Sequence, residues 1–159
     1  MITRARIAAI AMLTFIVTSE VQAQVSRRST TIGIHAAFDV SDGRVESERV
    51  GIQAHLPIAR SFEFVPQFSY FLSASGWRAN FTVRVRPRAL GSLLSIGSGA
   101  SISQFDFGGD ASRGTVRAIA VIGLDVPRWS LGPFGELHFL NILGGHVSSD
   151  VVLGVKARI

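Results

Sequence analysis

The 159-residue chain contains no cysteine, which excludes disulfide cross-links and thiolate metal sites. Lysine is nearly missing too: Lys156 stands alone, and arginine supplies 15 of the 16 basic residues. Beyond residue 23 no apolar run approaches the roughly 18 residues that a membrane helix needs. Apolar residues at i, i+3 and i+4, the mark of a helix face, are equally scarce. There is no phosphate-cradling glycine motif, no zinc spacing and no basic run, so the formal charge of +5 does not read as a nucleic-acid surface. His35, His55 and His138 lie on separate segments without ligand spacing, and "FDFGGDASRG" lacks the spacing of a calcium loop. Neither a metal nor a cofactor is expected.

What is present begins with an address. "MITRAR" is a positive start, "IAAIAMLTFIVTS" an apolar stretch, and "VQA" a small-x-small end before Gln24. This pattern predicts a cleavable secretory signal peptide over residues 1–23, leaving one domain over 24–159.

That domain alternates with period two almost throughout, which predicts strands. Eight are expected, at 30–40, 49–59, 62–72, 77–87, 93–103, 115–126, 131–140 and 146–159. Each is close to the 9–11 residues that a tilted strand needs to cross a bilayer. The connections alternate as well. "SDGRVESE", "SASG", "QFDFGGDASRG" and "NILGG" follow the odd strands, and the tighter joins "PIARS", "PRALGS" and "PRWS" follow the even ones.

The two faces differ in chemistry. One collects Ile32, Ile34, Val50, Ile52, Phe68, Phe81, Val83, Val116, Ile122, Leu137, Val151 and Leu153, and no charged residue. The other holds small residues with His35, Asp39, Gln53, Glu63, Gln67, Arg78, Asn80, Arg84, Arg86, Arg117, Asp125, Glu136, Asp150 and Lys156. A lipocalin-like soluble carrier would alternate too, with its apolar face inward. Small residues mixed with charges of both signs instead suit a narrow, filled barrel interior. An arginine turned to lipid near the midplane would cost about 2–4 kcal/mol. The fold expected is therefore all-β, an eight-stranded antiparallel up-and-down transmembrane β-barrel with its charges inside. Tyr70 and Trp77 fall at the loop ends of their strands, and Phe62, Phe64 and Trp129 near the turn ends, as interface aromatics do. Pro66, inside the third strand, predicts a bulge or a lost ladder bond.

The whole of this domain resembles the small eight-stranded outer-membrane barrels of Gram-negative bacteria, the OmpX and OmpA transmembrane-domain type. The last strand, "VVLGVKARI", is similar to the family's terminal assembly signal, with Val151, Leu153, Val155, Ala157 and Ile159 at alternate positions. The family usually ends in Phe or Trp, and here Ile stands last. The resemblance implies an outer-membrane location among lipids and lipopolysaccharide, insertion by the barrel-assembly machinery, a monomer, and a structural or surface-contact role. Unlike OmpA, nothing follows the barrel, so no peptidoglycan-binding domain is implied.

Two groups of residues could carry chemistry. The inward charges Glu63, Arg84, Arg86, Arg88, Arg117, Asp125, Glu136 and Lys156 read as an internal salt-bridge network. Counting across "SASG" sets Glu63 opposite Arg86, and Glu136 falls near Lys156. The second group is "HVSSD", where His146 and Ser148 share one strand face and could act as base and nucleophile. That pair is similar to the one that lipid A deacylase barrels of the PagL type use with a glutamate. Here the candidate, Glu136, precedes the pair, and parity turns His146 and Ser148 inward, whereas that family works at the lipid-facing surface.

Overall fold

The structure, a computed structural model, describes residues 29–41, 44–59, 61–87, 93–106, 112–125, 131–144 and 146–159. The signal peptide expected over 1–23, Arg88 and Trp129 lie outside the described residues.

Eight strands form: β1 (Thr31–Ser41), β2 (Arg44–Pro57), β3 (Phe62–Phe71), β4 (Gly76–Val85), β5 (Leu94–Asp106), β6 (Ser112–Asp125), β7 (Leu131–Leu140) and β8 (Ser148–Arg158). Each pairs antiparallel with its sequence neighbour, and β8 closes on β1. Closure leaves no strand edge unpaired. Followed once around the ring, the pairing returns to its starting strand ten residues further on. An offset of that kind goes with a strand tilt of about 40°. The hairpins after β1, β3, β5 and β7 mark the loop end of the barrel, and the start of β1 and the end of β8 lie at the other, the termini end.

Several strands extend beyond the apolar alternation. β2 starts at Arg44, five residues before the expected start at Arg49, and β5 and β6 run on to Asp106 and from Ser112. Most of "SDGRVESE" and "QFDFGGDASRG" is therefore hydrogen-bonded hairpin. Past the apolar band both faces are polar, so the hydropathy contrast ends while the ladder continues. In the opposite direction β4 ends at Val85 and β8 begins at Ser148.

Outward positions carry exposed apolar groups, among them Ile34 at 67%, Val83 at 40% and Phe68 at 47% exposure. Inward positions are closed off, with Val65, Ile119 and Val121 fully buried beside the polar groups. This is the reverse of a lipocalin-like carrier, whose apolar face would line the inside. At Pro66 the β2–β3 pairing is interrupted between Gln53–Gln67 and Leu56–Phe64, with the register unchanged on either side. The missing N–H of proline thus costs rungs of the ladder and introduces no bulge. A bulge occurs elsewhere, where the β1–β2 register shifts between Asp39 and Val40.

Glycine makes room inside. His35 is flanked in the ladder by Gly51 and Gly154. A Cβ on Gly51 would lie 2.7 Å from the His35 ring and 2.1 Å from the Phe68 carbonyl, so only glycine fits there.

Candidate functional site

The chemistry of this protein is concentrated in its lumen. Because inward side chains come from eight walls at once, groups far apart in sequence meet across the axis. Glu136 on β7 is the centre of one such meeting. Arg84 of β4 donates to both its oxygens at 2.5 and 3.0 Å, Gln53 of β2 donates at 3.1 Å, and His138 donates at 2.7 Å. The polar chain continues sideways from there. Gln67 donates to Gln53 at 3.0 Å, Asn80 donates to Gln67 at 2.6 Å, and His35 bonds to Ser69 at 2.9 Å.

Nearer the termini end, Arg86 bridges two carboxylates. It donates to Glu63 at 2.9 Å and to Asp125 at 2.5 Å, and Lys156 caps Asp125 as a further donor. The His55 ring lies 3.5 Å from Glu63, linking this cluster to the central one. Glu63, Arg84, Arg86, Asp125, Glu136 and Lys156 are all under 10% exposed. Buried charges of this kind persist only when paired and hydrogen-bonded, and each of these is.

A second cluster closes the loop end. Arg49 and Arg78 both donate to Asp150, at 2.6 and 2.7 Å, and both also engage Asp39. Ser47 donates to Asp39 at 2.6 Å. Both guanidinium groups lie over the Phe71 ring, 5.3 and 5.4 Å from its centroid, within cation–π range. Phe105 packs on Phe71 at 4.6 Å. The Arg78–Asp150 pair joins β4 to β8 across the full width of the barrel, so side chains span the lumen at this level as they do at Glu136.

The expected Glu63–Arg86 pair forms, though not by the expected register, and two other expectations need correction. The ladder sets Glu63 opposite Arg84, not Arg86. Arg84 reaches over the lumen to Glu136, and the longer diagonal brings Arg86 to Glu63. Lys156 does not meet Glu136, because the register places it beside Gly132 and its amine bonds Asp125. Arg117 points inward beside Ser101 but has no ion pair or hydrogen bond among the described residues.

His146, Ser148 and Glu136 do not assemble. Asn141, with left-handed backbone (φ 62°), turns the chain after β7, and its amide clamps the His146 carbonyl at 2.8 Å. The His146 side chain is left exposed in the loop, whereas Ser148 opens β8. Glu136 is buried in the lumen with both oxygens taken by its donors. Among the described residues no hydrogen bond joins His146 to Ser148.

Of the expected interface aromatics, Tyr70 is exposed and lies opposite Trp77, which stacks on Phe68 at 5.9 Å. Phe64 is half-buried. Phe62 is buried, because the turn after β2 folds over it with Ile58 and Ala59 donating to its carbonyl.

Arg49 escaped the expected network, and Asp39, Arg78 and Asp150 were not recognised as its partners. Their parity was readable, but Arg49 stands beside Glu46 and Glu48 at a strand start, where it resembles one more loop charge.

A closed barrel of eight antiparallel strands has a solved counterpart. The chain shares its fold with the N-terminal β-barrel domain of Pseudomonas aeruginosa OprF. The two superpose with a TM-score of 0.63 over 81% of this chain and 97% of that domain, at 12% sequence identity. No protein-family model matches the chain, and no curated protein matches it in sequence.

Proposed function

We propose that the protein is an integral outer-membrane β-barrel with a filled polar interior and a structural or surface-contact role in the envelope. The carrying observation is the outward face. Over positions 32–38, 50–56, 62–70, 77–85, 94–102, 116–124, 131–139 and 149–157 no outward residue is charged, and many large apolar ones are exposed. A contiguous apolar surface all around a barrel has no reason to face water, whereas a bilayer matches it. The shared fold with the OprF barrel domain supports the same location.

On this reading the band contacts outer-membrane lipids and lipopolysaccharide, and Tyr70 and Trp77 lie at its upper edge. The signal peptide directs export, the insertion machinery reads the last strand, and the barrel works as a monomer. The side chains that cross the lumen argue against a diffusion pore, since an eight-stranded interior is about as wide as its own side chains. Lipid A hydrolysis has no assembled nucleophile and base to support it.

Fractionation tests the proposal. The protein is expected in the outer-membrane fraction, with a gel mobility that changes on boiling. Recovery in the soluble periplasmic extract would overturn it.

A further inference from the structure

The inward charges divide by height. Taking the tilt into account, the half of the lumen toward the termini end holds Glu63, Asp125 and Glu136 against Arg84, Arg86 and Lys156. The loop-end layer holds Asp39 and Asp150 against Arg49, Arg78 and Arg117. Among the described side chains one half balances, and the other has a cation to spare. The spare one is Arg117, because Arg49 and Arg78 already engage both aspartates.

Arg117 is aimed into the lumen. It has the parity of Ile119 and Val121, both fully buried, and it pairs in the ladder with buried Ser101. Unlike them it is only half-buried, so water reaches it. Its neighbours on the inner wall are the small hydroxyl residues Ser101, Ser103 and Thr115, of which the last two bond each other at 2.8 Å. Bulk is low on its β5 side, Ile119 and Leu140 fill the wall below it, and no carboxylate among the described residues answers it. An arginine does not deprotonate, and an uncompensated charge in a barrel interior is costly. Among the described residues its counter-charge is missing, and an ion from solvent can reach it.

We propose that Arg117 holds a small oxyanion of the phosphate type in the loop-end mouth. Its planar fork suits two oxygens of one group, and the Ser101 hydroxyl beside it can supply a further donor. Such a group is carried both by free phosphate and by a lipid headgroup. The free ion is the better fit, because Arg117 is inside the wall and the lipid outside it. The site depends on the closed barrel alone, so it stands whichever compartment the loop end faces.

Unfolding midpoints of the protein in nonionic detergent test this, with potassium phosphate compared against potassium chloride at equal ionic strength. Phosphate at ten times its dissociation constant is expected to raise the wild-type midpoint by about 3–6 °C. Arg117→Gln should abolish that rise, and Arg117→Lys should reduce it. Without phosphate, Arg117→Gln should be at least as stable as wild type, since it removes an unbalanced charge. Micelles doped with phosphatidic acid form the second arm, and an Arg117-dependent rise there alone would support the oxyanion site with a lipid source. An equal phosphate response in Arg117→Gln, no response beyond chloride in either arm, or a loss of stability in phosphate-free buffer would overturn the proposal.

Discussion

The two ends of the lumen use the same residue types to different effect. Toward the termini, each carboxylate is shared by donors from several strands: Glu136 by β2, β4 and β7, and Asp125 by β4 and β8. Water is excluded there, and among the described residues Glu136 is the one carboxylate that answers Arg84. At the loop end Arg49 and Arg78 duplicate one another on the same two aspartates, and Asp39 is 19% exposed. Duplication and access to water make that cluster tolerant. An interior of this kind is a lock at one end and a stopper at the other, so the position of a charge decides its worth more than its presence does.

Substitutions would sharpen or break this contrast. Glu136→Gln should have the largest effect, because it leaves Arg84 buried without a carboxylate. A loss of about 3–5 kcal/mol is expected, read as a shift in the urea midpoint of protein folded into lipid vesicles. Arg49→Met should cost less, about 1–3 kcal/mol, since Arg78 still holds both aspartates. If Arg49→Met cost as much as Glu136→Gln in the same assay, the two ends would be equivalent and the contrast would fail. His146→Ala should be smallest, within about 0.5 kcal/mol, and mass spectra of lipid A from cells expressing either form should be identical. A difference between those spectra would restore the hydrolase reading.

The strands were legible because a wall with one apolar and one polar face writes its period into the sequence. Ile32, Ile34, Ala36 and Phe38 against Gly33, His35, Ala37 and Asp39 show it within one strand. The hairpin tips were not legible. Between Arg44 and Glu48 Val45 is the one apolar residue, so pairing continues with no alternation to mark it. The partners inside the lumen were harder still. Sequence spacing suggests which residues stand side by side on adjacent strands, as Glu63 and Arg84 do. An arginine is long enough to ignore its neighbour, though, and Arg84 answers a glutamate three strands away. Selecting among such partners needs the diameter and the tilt, which only the closed ring supplies.

The interruption at Pro66 has a consequence for how the wall comes apart. The seam between β2 and β3 lacks rungs near its middle, between Gln53–Gln67 and Leu56–Phe64. Side chains flank that gap on either side, with Gln67–Gln53 toward the loop end and His55–Glu63 toward the termini end. A seam under strain opens first where its rungs are already missing, so any parting of β2 from β3 should begin at that gap. The same proline that spares the sheet a bulge leaves that seam open in its middle.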